Sequence, residues 1–408
     1  MPLPVRGHVA TVDGVAVGTN VVAVAARAVV SAAATVGVDA AGAVGAAMTF
    51  RYCCRHPDRP RDRRPRKARN AASPVIAFCT TDSNVDRVGS YRCCVKSARQ
   101  STLDPGQKAL RAYLETNNGI RGLEILDPSE VDAAVRIFQR DGFVVVRDAL
   151  DAQQLKTLRA GVDDAVAQII ALDADRNGNR GAHRYSFGGS SLTRSMLHRP
   201  EWQMLLDLPT ITPIITAIFQ SSDYMLRAAS GDFCLPGATA YQPLHADMRD
   251  RVDSATTPFS SFHDPRGHLS VRDLPCPYVA VNFLTADATR LNGPTRQIPG
   301  SQNARAPIPS LAEEPEWMRL STVCPAPAGA VQIRDVRAWH GGTPNVSDHV
   351  RAIPNLEFYA PWFREPMLPG ICADDHRRLS PHAQRVTRFS VADSADELRT
   401  GFTLTPPR

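Results

Sequence analysis

Three residues of this 408-residue chain have the types and spacing expected of a mononuclear metal site. His245 and Asp247 stand two positions apart in one short segment, and His340 follows far downstream. Two imidazoles and one carboxylate can occupy one face of an Fe(II) octahedron, which leaves the opposite face for an organic acid and dioxygen. The residue types therefore predict an iron site with open positions, of the kind that oxygenases use.

A His-x-Asp pair is weak evidence by itself, because the chain contains a second one at His56 and Asp58. That second pair lies in an Arg- and Pro-rich stretch, residues 51–69. Nearby positive charge opposes cation binding, and proline-rich sequence offers no rigid scaffold for metal ligands. We therefore set the pair at His56 aside and keep the pair at His245.

The segments around the candidate ligands have the pattern of strands. Residues two apart on a strand project from the same face, so His245 and Asp247 can bind one ion together. His340 follows a strand-like segment, 330–335, and can return to the same end of a barrel. Arg351 precedes the apolar segment 352–359, where its planar guanidinium could hold a carboxylate through two parallel hydrogen bonds.

The wider pattern predicts a mainly β fold with buttressing helices, in the α+β class. From residue 223 onward, short apolar runs alternate with Pro- and Gly-rich turns, which is typical of an antiparallel barrel or a double-sheet roll. Helices are predicted to precede these strands. The predicted upstream elements are a helix opened by Asp104-Pro105, a helix capped by Asp127 and Glu130 and ended by Gly142, a buried strand at 143–146, and an amphipathic helix at 152–172.

We divide the chain into four segments by composition and pattern. The first hundred residues contain fifteen Lys and Arg against six Asp and Glu, so this segment is strongly basic although the whole chain carries only +6. The basic isoelectric point therefore belongs to the leader and does not predict nucleic-acid binding by the folded part. The segments are a basic leader at 1–103, a helical N-terminal part of the catalytic domain at 104–222, a core with the metal site at 223–365 and a C-terminal extension at 366–408.

The basic leader has three interpretations: an organelle transit peptide, a disordered tail, or a start site assigned too far upstream. Its apolar stretch at 28–38 is too short to span a bilayer, so no membrane span is predicted. The nine cysteines show no zinc-binding spacing, and a chain of this length has no need of a disulfide scaffold. The expected location is intracellular, either cytoplasmic or in an organelle reached through the leader.

Four stretches of the chain resemble the phytanoyl-CoA dioxygenases, which are Fe(II)- and 2-oxoglutarate-dependent oxygenases with a double-stranded β-helix, or jelly-roll, core. The resemblance covers roughly residues 130–365. Its most specific part follows His340, because His, Asn, Ser and Arg all fall at the family's spacing. Gln302 stands where the family usually has His. The four stretches are 138–148, 244–247, 292–302 and 340–351.

The resemblance implies a role for each site residue. His245, Asp247 and His340 would be the iron ligands, and Arg351 would pair with the distal carboxylate of 2-oxoglutarate. Gln242 matches a glutamine that some relatives use near this cosubstrate.

Many relatives also carry a hydroxyl residue two positions after the distal histidine, where this chain has Gly342. Thr343 is the candidate substitute for that hydroxyl contact. Asn345 and Ser347 are expected to stabilise the loop through hydrogen bonds from side chain to backbone, and not to touch substrate.

The implied activity is oxidation of a small-molecule substrate, lipid-derived or secondary, by O2 with release of succinate and CO2. The resemblance favours hydroxylation, or a related desaturation or cyclisation, because halogenating relatives replace the carboxylate of Asp247 with a small residue. Residues 248–277 are predicted to form a lid that sets substrate choice. Two alternatives remain open, a catalytically silent jelly-roll protein that binds a ligand and a zinc-dependent hydrolase with the same ligands.

Overall fold

The computed structural model of the chain describes residues 104–188, 195–251 and 260–403, so the predicted leader and the pair at His56 lie outside the described residues. Within the described ranges, the longer helices precede the longest strands. The helices are α1 (Pro105–Asn117), α2 (Val131–Asp141), α3 (Ala152–Leu172), α4 (Pro200–Gln203), α5 (Thr212–Phe219), α6 (Glu316–Leu320), α7 (Ala373–Arg378) and α8 (Pro381–Thr387). The strands are β1 (Ile125–Leu126), β2 (Phe143–Val146), β3 (Arg184–Gly188), β4 (Met225–Cys234), β5 (Arg249–Asp250), β6 (Ser261–Phe262), β7 (Tyr278–Phe283), β8 (Arg296–Gln297), β9 (Val331–Asp335), β10 (His340–Gly341), β11 (Arg351–Tyr359), β12 (Ile371–Cys372) and β13 (Val391–Ala392).

Seven strands form one mixed sheet in the order β1-β2-β9-β7-β11-β4-β3. β1 and β2 pair in parallel, and the other neighbours in this sheet pair antiparallel. Three of these strands, β1, β2 and β3, come from the segment 104–222. That segment was predicted as the helical part of the domain, but it also supplies strands to both edges of the main sheet.

The two faces of the main sheet differ in chemistry, because successive side chains of a strand point in opposite directions. On β11, Leu356 and Phe358 belong to the apolar core, whereas Asn355 and Glu357 line a cavity on the other side. The core contains side chains from α2, α3, α4 and α5 as well as from the sheet. The fold is therefore a mixed sheet covered by helices on its apolar face, in agreement with the α+β prediction.

Helix α3 shows why the local predictions succeed. It runs from Ala152 to Leu172, the predicted bounds. Asp151 caps it by accepting a hydrogen bond from the backbone N–H of Gln154, whose side chain accepts from the N–H of Asp151 in return. Both signals, the cap and the apolar spacing that buries Leu158 and Val162, lie within the segment itself.

The start of α2 differs from the prediction. The helix begins at Val131, and no side chain accepts a hydrogen bond from its first turn. Of the predicted box at Asp127 and Glu130, one half forms, since the carboxylate of Glu130 accepts from the N–H of Asp127 at 2.8 Å. The carboxylate of Asp127 is instead held by Arg147, whose Nε and Nη2 lie 2.9 and 2.7 Å from its two oxygens. The carboxylate that was predicted to cap the helix therefore forms an ion pair with a residue twenty positions away. The predicted end is confirmed, because Gly142 ends the helix with φ of 80°, a conformation that favours glycine.

Short paired segments form a second, smaller layer. β8 and β10 pair antiparallel, with Gln297 opposite His340. Single bridges extend this pair on both sides, from His340 to His245 and from Arg296 to Thr322. His245 and His340 also exchange backbone hydrogen bonds of 3.0 and 2.9 Å. The chain therefore places two candidate ligands at directly opposed positions in this layer.

The C-terminal extension packs on the main body of the protein. β12 pairs in parallel with β13, and α7 and α8 lie between them in the chain. Ile371, Ala383 and Val386 are buried in the same apolar core as the main sheet. In the ranges that the structure describes, no helix combines the length and the apolar character needed to cross a bilayer.

Candidate metal centre

His245, Asp247 and His340 come together at one point in the structure. Each offers one ligand atom, and these atoms lie within 4.8 Å of one another. Oδ1 of Asp247 is 3.8 Å from Nε2 of His245 and 3.5 Å from Nε2 of His340. His340 is buried, whereas the side chain of His245 is 47% exposed. The cluster is therefore accessible from the side of His245.

Backbone carbonyls orient the two imidazoles. Nδ1 of His245 lies 3.2 Å from the carbonyl oxygen of Pro243, and Nδ1 of His340 lies 3.1 Å from that of Ala338. A ring that donates its Nδ1–H to a carbonyl keeps the lone pair of Nε2 for a metal ion. Both Nε2 atoms point toward the same carboxylate oxygen, so the donor set fits a single metal ion bound by two imidazoles and one carboxylate.

Arg334 on β9 is a part of this cluster that the sequence reasoning missed. Its Nη2 lies 2.7 Å from Oδ2 of Asp247. Its Nη1 is also 2.9 Å from Nδ1 of His340, but no hydrogen bond forms there in the tautomer that donates Nδ1–H to Ala338, because a guanidinium cannot accept one. Oδ1 of Asp247 thus lies toward the two imidazoles, and Oδ2 lies toward the guanidinium of Arg334. The available signal was the alternation of residue types in 330–335. A period of two places the polar side chains of Gln332 and Arg334 on one face of the strand.

Arg334 also sets the charge state of its neighbours. Burial alone would raise the pKa of Asp247, but Arg334, His340 and His245 together hold it well below its ordinary value. Burial, aided by Arg334, lowers the pKa of His340 well below that of free histidine. An ionised carboxylate and a neutral imidazole are the forms that bind a metal ion.

We expect Arg334→Met to weaken binding of a divalent metal by about 10- to 100-fold, because a residue that orients a ligand typically contributes that much. The measurement is an anaerobic titration of Fe(II) or Co(II) against a competing chelator. Arg337→Met is the matched control, since Arg337 is also buried and pairs with its own aspartate, Asp335, at 2.6 Å. Equal metal affinity in Arg334→Met and the wild-type protein would remove the orienting role.

A cavity of about 160 Å³ lies beside the three candidate ligands. Its wall on the main sheet is mostly polar, since the non-core face of β3, β4, β7 and β11 contributes Ser186, Asp232, Asn282, Asn355 and Glu357. None of the described residues of the predicted lid, 248–277, lines this cavity, and residues 252–259 of it lie outside the described ranges. The chemistry of the cavity therefore comes from the sheets and from the segments that carry the candidate ligands.

The structure brings Arg351 and Gln242 to this cavity and places Thr343 elsewhere. Arg351 begins β11, is buried, and donates from Nε to the carbonyl of Gly293 at 2.8 Å. Gln242 accepts a hydrogen bond from the N–H of Gly342 at 3.0 Å. Thr343 is fully buried outside the cavity lining, and its hydroxyl donates to the carbonyl of Pro294 at 2.6 Å.

Asn345 and Ser347 have the role that the sequence predicted for them. Nδ2 of Asn345 donates to the carbonyls of Cys234 and His349, at 3.0 and 2.9 Å. Its Oδ1 accepts from the hydroxyl and the N–H of Ser347, at 2.7 and 3.1 Å. These bonds tie the segment after His340 to the end of β4, and the predicted stabilising role is confirmed.

Three solved structures illustrate the similarity of this chain to known proteins. AviO1 from Streptomyces viridochromogenes Tue57 is 21% identical over 58% of this chain and 97% of its own, with a TM-score of 0.40. HygX from Streptomyces hygroscopicus, solved with nickel and 2-oxoglutarate, is 14% identical over 58% and 89%, with a TM-score of 0.43. The non-heme alpha ketoglutarate dependent epimerase SnoN from nogalamycin biosynthesis is 16% identical over 57% and 83%, with a TM-score of 0.40.

The family model for phytanoyl-CoA dioxygenase (PhyH) matches residues 138–353, more than half of the chain. That match includes the three candidate metal ligands and Arg351. The chain belongs to the phytanoyl-CoA dioxygenase family.

Proposed function

We propose that this protein is an Fe(II)- and 2-oxoglutarate-dependent dioxygenase that hydroxylates a small molecule. The observation that carries the proposal is the convergence of His245, Asp247 and His340 on one point beside a polar cavity. We further propose that the main sheet and the smaller layer of β8 and β10 are the two sheets of a jelly-roll core. This interpretation agrees with the position of the cavity, whose lining includes residues of both layers.

Iron bound by the three ligands would supply the redox chemistry, in which O2 and 2-oxoglutarate give succinate, CO2 and an oxidised substrate C–H bond. The protein residues then position and select. Arg351 is a buried cation on the cavity wall, suited to the distal carboxylate of 2-oxoglutarate. Arg334 holds Asp247, the carboxylate ligand, in place through its ion pair with Oδ2. This retained carboxylate supports hydroxylation over halogenation.

Turnover of 2-oxoglutarate without substrate tests the proposal directly. The protein is loaded with Fe(II) under anaerobic conditions, mixed with 2-oxoglutarate, and inspected for a visible charge-transfer band. Oxygen is then admitted and succinate is measured. We expect both a band and slow succinate release. Protein that binds iron but shows neither would contradict the proposal and would favour a catalytically silent ligand-binding role.

The zinc hydrolase alternative makes a different prediction, namely activity that requires zinc and persists without 2-oxoglutarate. The buried Arg351 on the cavity wall favours the oxygenase, because it offers a partner for the distal carboxylate of 2-oxoglutarate. The substrate itself can be sought by adding members of a metabolite library and scoring the stimulation of succinate release.

A further inference from the structure

Gly342 occupies the position where many relatives of this family carry a hydroxyl residue, and the structure shows what fills that space. A Cβ atom at Gly342 would lie only 2.6 Å from Nη1 of Arg184 and 2.6 Å from Oε1 of Gln242. Real Cβ atoms essentially never approach another heavy atom this closely. Any residue larger than glycine at position 342 would therefore have to displace a guanidinium or an amide that already lies there.

Arg184 and Arg351 share one face of the main sheet. Cys234 on β4 is the direct partner of Arg184 on β3 and of Arg351 on β11. Directly paired residues on neighbouring strands point to the same side, so the two arginines flank one position. Both line the cavity, and their exposed fractions are only 5% and 8%. Two buried guanidiniums therefore project from one row of the sheet into the same space.

Neither of these two cations has a carboxylate partner within 4.0 Å among the residues that the structure describes. The next row of the same face carries Asp232, whose carboxylate accepts a hydrogen bond from the hydroxyl of Ser186. Burial lowers the pKa of Arg184, and the nearby Arg351 and Arg296 lower it further. Buried like charges without a counter-ion are costly, and an anionic ligand would remove that cost.

Arg184 is held in place before any ligand arrives. Its Nη2 donates to the carbonyl of Ala240 at 2.8 Å and to the carbonyl of Thr343. Gln242, on the other side of the same space, is held by the N–H of Gly342 and donates to the carbonyl of Arg180 at 3.1 Å. An anchored guanidinium loses little conformational entropy when it binds an anion.

We propose that Arg184 is the second contact of the 2-oxoglutarate distal carboxylate, in the space that Gly342 leaves open. The proposal rests on the proposed function, since it names a further residue of the same cosubstrate site. Arg184 and Arg351 together then form a two-arginine clamp, and Thr343, which donates its hydroxyl to Pro294, has no part in it. Glycine at position 342 leaves room for the guanidinium of Arg184 in its present position.

The first test measures binding to protein loaded with Co(II), so that no turnover occurs. Calorimetry compares 2-oxoglutarate with pyruvate, which has the same 2-oxo acid end but no distal carboxylate. We expect Arg184→Ala to weaken 2-oxoglutarate binding by about 10- to 100-fold and to leave pyruvate binding nearly unchanged. Arg184→Lys, which keeps the charge without the planar fork, should fall between the wild-type protein and the alanine variant.

The second test is a double-variant cycle at positions 184 and 342. Gly342→Ser in the wild-type background should weaken 2-oxoglutarate binding, because the new side chain meets Arg184. In the Arg184→Ala background the same change should strengthen binding, because a hydroxyl can enter the vacated space. A change of sign between the two backgrounds is not expected of two merely destabilising substitutions.

The outcomes separate this inference from the proposed function. A wild-type protein that binds 2-oxoglutarate no tighter than pyruvate would contradict the proposed cosubstrate itself. The role of Arg184 alone would be overturned by a different result. In that case the wild-type protein prefers 2-oxoglutarate to pyruvate, and both Arg184→Ala and Arg184→Lys keep the full preference. If Arg184→Ala does not unfold cooperatively, Arg184→Lys is used to decide whether Arg184 contacts the distal carboxylate. An equal preference for 2-oxoglutarate over pyruvate in Arg184→Lys and in the wild-type protein would exclude a two-arginine clamp.

Discussion

Replacing His245 with alanine is expected to abolish iron binding and to lower 2-oxoglutarate turnover by roughly 1,000-fold or more, because only two protein ligands would remain. The fold should survive, since the side chain of His245 is half exposed and the hydrogen bonds between His245 and His340 are made by backbone atoms. Anaerobic Fe(II) titration and succinate formation measure the two effects. Thermal unfolding of the metal-free variant checks that the structure is retained.

The chain offers its own control for this substitution. His56→Ala removes the histidine of the second His-x-Asp pair, which the sequence places in the basic leader. We expect full iron binding and full turnover in that variant. A comparable loss in both histidine variants would mean that the effect of His245→Ala does not come from a specific metal site. Undiminished iron binding in His245→Ala alone would exclude it as a ligand.

Replacing Arg351 with alanine is expected to raise the concentration of 2-oxoglutarate needed for half-maximal turnover by about 100-fold, with iron affinity little changed. The physical reason is that Arg351 is a buried cation on the cavity wall that would pair with the distal carboxylate, and removing one member of a buried charge pair costs several kcal/mol, roughly 2–5. Titration of 2-oxoglutarate in the succinate assay, alongside Fe(II) titration, separates the two parameters.

Arg351→Lys refines this prediction, since it keeps the positive charge and loses the planar fork, and it should give a smaller increase. Arg147→Ala serves as the control for loss of an arginine outside the cavity, because Arg147 is half exposed and pairs with Asp127. An unchanged 2-oxoglutarate requirement in Arg351→Ala would remove the proposed clamp role. A loss of iron binding in the same variant would instead indicate damage to the metal site.

Elements whose signals are local could be predicted from the sequence. α3 has the predicted bounds because its cap and its apolar spacing lie inside the segment. Gly142 ends α2 with a backbone conformation that other residues rarely adopt, so it too could be identified from its type and position. The cap at Asp127 was wrong because its carboxylate binds Arg147, a partner that no local pattern reveals.

The candidate ligands were predictable for a different reason. Two of them share one segment, and the third is followed by a densely patterned stretch that ends at Arg351. This spacing follows from metal chemistry, because binding of the ion requires these residue types in this order whatever path the chain takes between them. The family match over 138–353 agrees with that interpretation. The approach of the three side chains to within 4.8 Å, however, appears only in the folded chain.

The motifs of the sequence therefore identified the family, and residue types with local periodicity predicted the α+β class and the three candidate ligands. The tertiary structure decided which other side chains meet them. Arg334 reaches Asp247 because the N–H of Asp247 donates to the carbonyl of Val336, directly after β9, and Arg184 lies beside Arg351 because both strands pair with β4. Contacts of this kind depend on strand order and register, which join residues far apart in the chain. Local alternation predicts the face on which Arg334 lies but not the partner that it meets there.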